Sequence, residues 1–222
     1  LTVTRVAAAR VHHLARSGAH RVREASRAGG AAASGLTALI WTHAVNYAAD
    51  GMIAVCLAGT VFFSAARSQQ RGNVALYLLM TMAPFAVVAP VLGPLLDRMQ
   101  RGRRLALAAT SVGRALMALV MAANFRNLGL YPAAFGALVL SKAYGVLRGA
   151  CVPRVLPAGM TLVSANARLS MFGLGAGTAA AAVLGGFIKV TGSYPWALRV
   201  TAVVFLAAAV LSLRLPAVVD SP

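Results

Sequence analysis

The chain has 222 residues, 59% of them apolar and only 11% charged, with a formal net charge of +17 and a mean hydropathy of +0.76. A soluble domain carries roughly 45–50% apolar and 25% charged residues, so this composition argues against an aqueous globule. It also argues against a nucleic-acid binder: the basic residues are scattered among apolar blocks, without a recognition motif or an aromatic-interleaved basic surface.

Residues 1–35 are rich in Ala and Arg (Arg5, Arg10, Arg16, Arg21, Arg23, Arg27). Their charge is too widely spread for a signal peptide. They read as a basic cytosolic arm, either disordered or a surface-lying helix with Val3, Val6, Val11 and Leu14 on one side. His12, His13 and His20 sit here without companion ligands and read as solvated.

Six apolar blocks follow, over 36–64, 74–96, 105–124, 130–150, 169–189 and 195–215, each long enough to cross a hydrocarbon core that takes about 20 helical residues. Most lack the polar stripe of a soluble amphipathic helix. The expected fold is an all-α integral membrane bundle of six transmembrane helices over 36–215, with a cytosolic tail over 216–222. The connectors carry Arg67 and Arg71; then Arg98, Arg101, Arg103 and Arg104; then Arg126; then Arg154 and Arg168; the last is flanked by Lys189. The arm and the even connectors hold most of this charge. Positive residues favour the cytoplasmic side, which places both termini inside a cell membrane. The chain begins with Leu1 and stops soon after the sixth block, as a fragment or a half-sized unit would.

Span one carries His43, Asn46, Tyr47 and Asp50 at i, i+3, i+4 and i+7, a single helical face. A polar face is costly against lipid and belongs toward the bundle or a wet path. Asp50 is the only acid in any span, and Arg114 or Lys142, also near mid-span, is its expected partner. Two readings stay open: a static interhelical ion pair, or a carboxylate that changes partner and protonation during transport, with His43 as a lesser candidate. Arg148, nearer the end of span four, reads first as snorkelling to the headgroups and second as an inward group. Gly173, Gly177, Ala181 and Gly185 form a small-residue row suited to close helix contact. Trp41, Tyr194 and Trp196 read as interfacial anchors, and Cys56 and Cys151 as packing residues. No Walker loop, HExxH, GxSxG or paired carboxylates occur, so neither an enzyme nor a cofactor or metal site is expected.

The connector Gly93-Pro-Leu-Leu-Asp97-Arg98-Met-Gln-Arg101-Gly102-Arg103-Arg104 resembles the signature between spans two and three of major facilitator superfamily transporters, with its second Gly displaced to position 102. Asn46 to Gly51, Ser141 to Tyr144, Pro153-Arg154 and Ser164 to Ala167 resemble stretches of the drug- and siderophore-exporter branch. Span five has Gly177 and Gly185-Gly186 at the spacing of the antiporter motif, with Ala181 and Ala182 where that motif has Gly-Pro. The resemblance covers about 36–215, the N-terminal half of such a protein. It implies a 3+3 inverted repeat, half of a twelve-helix fold, and alternating-access movement of a small organic solute, efflux favoured. It also implies a partner: a second six-span half. Gly93, Asp97, Arg98, Arg101, Arg103 and Arg104 would form a gating loop that latches the cytosolic side, and Asp50, His43, Asn46, Arg114, Lys142 and Arg148 would serve transport and coupling. The rival expectation is a membrane scaffold or orphan half that moves no solute by itself.

Overall fold

A computed structural model describes residues 17–58, 102–126 and 129–220. The described residues are mostly helical, with no strand among them. Helix α1 covers 17–27, and a single helical turn at Ala31–Ser34 follows. The long helices are α2 (Leu36–Leu57), α3 (Arg103–Ala123), α4 (Leu130–Cys151), α5 (Leu162–Thr191) and α6 (Tyr194–Leu213). Short 3-10 turns follow α4 at Val152–Val155 and α6 at Ala217–Asp220. The block expected over 74–96 and the connectors around it lie outside the described residues.

The boundaries follow local chemistry. Gly35 and Gly102, with φ of 89° and 86°, turn the chain into α2 and α3 in a conformation that costs a residue with a Cβ. Thr161 opens α5 with its hydroxyl accepting from the Ser164 amide at 3.2 Å, a side-chain cap on an otherwise orphaned N–H. Gly192 closes it in the left-handed region, its N–H donating to the Ile188 carbonyl at 2.7 Å. Pro195 then sits in the first turn of α6, where its missing N–H costs nothing.

Among the described residues four helices are long and apolar enough to cross a membrane: Arg103–Ala123, Leu130–Val155, Leu162–Thr191 and Tyr194–Leu213. Helix α2 has 22 residues, a rise of about 33 Å, but carries the polar quartet of His43, Asn46, Tyr47 and Asp50. Helix α5 starts seven residues before the expected 169. At 30 residues it is about 45 Å long, more than a hydrocarbon core of about 30 Å. Its first two turns, with Ser164, Asn166 and Arg168, are helix that hydropathy cannot see.

Packing runs as a curved row: α5 against α2, α2 against α6, α6 against α3, α3 against α4. At one end Leu36, Leu39, Leu107, Leu147, Val155 and Leu169 form one core. At the other, Met52, Cys56, Met121, Leu184, Leu198 and Phe205 form a second. The starts of α2, α3 and α5 and the ends of α4 and α6 share the first end. Outward faces remain apolar and exposed, as at Leu116, Met171, Val183, Val190 and Val203. A patch that extensive marks contact with lipid or protein.

The glycine row of α5 meets α2 directly. A Cβ at Gly51 would collide with the Gly177 carbonyl, and one at Gly173 would lie 2.7 Å from His43 Nε2. Cys56 and Cys151 are buried and take part in no disulfide. Tyr194 stacks on Phe125 at 4.9 Å, while Trp196 is exposed and carries the Arg199 guanidinium over its ring.

Candidate functional site: a polar network around Arg114

Of the polar residues expected on one face of α2, His43, Asn46 and Asp50 point at α3 and α4, whereas Tyr47 is exposed and lies against Gly177 of α5. Arg114, fully buried, donates from Nη1 to Asp50 Oδ1 at 2.8 Å and from Nη2 to Asn46 Oδ1 at 2.6 Å. Its Nε reaches the Thr110 carbonyl at 3.4 Å. The Asn46 amide donates to Ser111 Oγ at 2.9 Å, and Ser111 in turn donates to the Leu107 carbonyl. Ser141 of α4 donates to the second Asp50 oxygen at 3.0 Å. The guanidinium carbon lies 5.0 Å from the Tyr144 ring and 4.7 Å from the Phe205 ring, a setting in which desolvated cations gain from aromatic quadrupoles.

Asp50 is more open than its partner, with 23% of its side chain exposed against none for Arg114. The ion pair thus has one sealed member and one that is partly exposed. Of the two expected partners, Arg114 takes the contact; Lys142 is exposed on α4. Isolated in hydrocarbon, an arginine costs about 2.5–3.5 kcal/mol on insertion scales. The pair, the amide and two rings offset that here.

One turn along α2, His43 meets Arg148. The separation from Arg148 Nη1 to His43 Nε2 is 2.8 Å. A guanidinium has only donors, so His43 accepts at Nε2 and carries its proton on Nδ1. Arg148 thus turns toward α2, where His43 offers it an acceptor. The His43 ring stacks on Tyr144 at 6.1 Å and meets Tyr47 edge-on at 5.2 Å.

The basic connector has a separate role. Arg104 binds Asp220 twice, through its backbone N–H (3.0 Å) and through Nε (2.6 Å), and donates from Nη1 to the Leu215 carbonyl at 3.1 Å. Arg103 donates to the Val219 carbonyl at 3.3 Å. Burial alone would raise the Asp220 pKa, but the Arg104 hydrogen bonds outweigh it and hold the carboxyl below its ordinary value. The segment after α6 is thereby clamped to the start of α3. Gly93, Asp97, Arg98 and Arg101 lie outside the described residues. At the other side of this end, Arg168 donates to the Ala28 carbonyl and Thr37 to the Ser26 carbonyl, at 2.7 Å each, so the end of the basic arm is docked. His20 pairs with Glu24 at the surface.

Sequence reasoning missed Ser111, Ser141, Tyr144 and Phe205. A signal existed for Ser141, Tyr144 and Arg148: they follow i, i+3, i+7, the spacing of Asn46 and Asp50 with His43 on α2.

No protein-family model matches the chain, and no solved structure does. Two mycobacterial proteins, each described as an uncharacterized protein, are similar. One, from Mycobacterium leprae, is 43% identical over 227 residues, covering 97% of this chain and 39% of the relative. Another, from Mycobacterium tuberculosis strain H37Rv, is 43% identical over 227 residues, covering 97% of this chain and 41% of the relative. The chain spans about two fifths of the length of these curated relatives.

Proposed function

We propose that this chain is the first six-helix half of a secondary transporter of the major-facilitator type, embedded in the cell membrane with both termini cytoplasmic. It moves a small organic solute by alternating access, with efflux favoured. The Asp50–Arg114 pair carries this reading: a buried cation and a partly exposed carboxylate, on separate helices, inside a bundle whose exterior is apolar. Such a pair can break and re-form when the helices that carry its two members move apart. That gives one carboxylate the means to couple proton movement to a change of shape.

Other observations support the remaining parts. Helices α2 and α3 start at the same end, so an even count of spans follows if the chain crosses back between them over 74–96. Arg103, Arg104, Arg154 and Arg168 gather at that end, as the cytoplasmic bias of positive charge requires. The relatives' further three fifths leave room for a second six-helix unit, and the 3+3 inverted repeat would place the solute path between the two halves.

The test is reconstitution of the longest naturally produced form of the chain in liposomes that trap a pH-sensitive dye. A panel of small organic solutes is then added. The wild type should show solute-dependent proton movement, and Asp50→Asn should lose it while still inserting. Proton-coupled flux unchanged in Asp50→Asn would remove the coupling role. An inserted wild type that moves no solute of the panel would favour the scaffold reading.

A further inference from the structure

His43 bonds to Arg148 and stacks on Tyr144, and each of the three leaves one buried polar atom without a partner: His43 Nδ1, the Tyr144 hydroxyl and Arg148 Nε. His43 and Tyr144 are each only 3% exposed. Unpartnered buried polar atoms are rare and costly, and three on adjoining side chains form a cluster that helix packing does not explain. Their chemistry agrees. Arg148 Nε is a donor, His43 Nδ1 bears the proton because Nε2 accepts from Arg148, and the phenol can donate.

Charge points the same way. Four acids occur in the chain; Asp50 is held by Arg114, Asp220 by Arg104 and Glu24 by His20, and Asp97 lies outside the described residues. Among the described residues no carboxylate pairs with Arg148, whose one bond goes to a neutral imidazole. The Nη1 corner is spent on His43. What remains is the Nε–Nη2 edge, the side of a guanidinium that grips a carboxylate through two parallel bonds.

We infer that His43, Tyr144 and Arg148 form a binding site for the carboxylate of a small organic anion. The inference rests on the transporter reading for its purpose, and it names the class of solute carried. The carboxylate sits on the Nε–Nη2 edge of Arg148 and accepts from the Tyr144 hydroxyl, while His43 holds the guanidinium in place through Nε2, its Nδ1–H pointing away from Arg148. The aromatic faces of His43 and Tyr47 suit an apolar body attached to it. Two helix turns along α2, Asp50 stays engaged with Arg114, so the anion faces a cation that no carboxylate among the described residues pairs with.

The experiment is calorimetric titration of the full chain in detergent micelles with sodium benzoate, inorganic phosphate and sodium chloride. Saturable benzoate binding is expected, weakened at least about tenfold by Arg148→Gln and by Tyr144→Phe, in line with loss of a hydrogen bond to a charged group. Arg199→Gln, an exposed cation at the opposite end, should leave it unchanged. Tyr144→Phe deletes only an oxygen without a partner, so it keeps the test open if Arg148→Gln does not fold. No saturable benzoate binding, or binding indifferent to both variants, overturns the inference. Tighter binding of phosphate or chloride at the same residues overturns the carboxylate assignment. Binding needs no turnover, which separates the two readings. Arg148-dependent benzoate binding without any solute flux would sink the transporter alone. Flux of uncharged solutes without benzoate binding would sink this site alone.

Discussion

The contact between α2 and α5 makes a graded prediction. A Cβ added at Gly51 runs into the Gly177 backbone carbonyl, and backbone cannot rotate aside as a side chain does. Gly51→Ala must push the helices apart by about 1 Å, and overpacking of that kind costs about 1–3 kcal/mol. For a domain of this size each kcal/mol moves the melting temperature by about 2–4 °C, so a fall of about 2–12 °C is expected. Gly177→Ala should cost less, because its Cβ would meet Tyr47 Cδ1 at 3.1 Å and the Tyr47 carbonyl at 3.2 Å, within reach of a small adjustment. Gly185→Ala should be near neutral, its nearest neighbour being Val55 Cγ1 at 3.9 Å, and Gly186→Ala has nothing within 4 Å. Thermal unfolding in detergent, followed by the emission of Trp41 and Trp196, gives the ranking. If Gly51→Ala melts with Gly186→Ala, the close crossing of α2 and α5 is wrong.

Three further outcomes follow from the polar contacts. Asp50→Asn strands a sealed guanidinium that keeps Asn46 and two rings, so it should cost about 2–3 kcal/mol, below the 3–5 of a fully broken buried pair; adding Arg114→Gln should cost less than the two single changes summed, and strict additivity in a double-mutant cycle would deny the pairing. Because the Asp220 carboxyl titrates below its ordinary 3.8, its contribution to docking the Leu215–Asp220 segment should be complete above that value and be lost as pH falls through the depressed one. The protection factor of the Val219 amide, which bonds to the Pro216 carbonyl at 3.1 Å, reads this directly, and a factor flat down to strong acid would contradict it. Asp220→Asn should lower that protection already at neutral pH, whereas Glu24→Gln, at the exposed His20 contact, should leave it unchanged.

The helical class and the inward polar face of α2 were legible because hydropathy and 3.6-residue spacing are properties of one helix at a time. Depth was legible too: Arg114 and Asp50 lie at matching levels, as their distances from the block ends imply. Rotation was not. Lys142 lies next to Ser141 in sequence, yet Ser141 reaches Asp50 and Lys142 is exposed, because the facing side of α4 is set by how it packs on α3. The end of α5 at Thr191 was close, while its start was missed: a Thr161 cap starts a helix wherever the backbone allows, and a bilayer-length criterion ignores helix that continues into water. Arg103 and Arg104 read as orientation signal and gating loop; their grip on Leu215, Val219 and Asp220 depends on two segments more than 100 residues apart meeting at one end, which no local pattern encodes.

The central claim is that the Asp50–Arg114 network borders a path that water reaches from either side of the membrane in turn. Thiol labelling from each side tests it most directly. In a Cys56→Ala, Cys151→Ala background, Ser141→Cys places a reporter beside Asp50, and Val183→Cys places one on the apolar exterior of α5. The account predicts that a membrane-impermeant maleimide reaches the Ser141 position from outside and from inside, and the Val183 position from neither. A Ser141 position closed to both sides, in a protein that is folded and inserted, would mean a static polar core and would contradict the account.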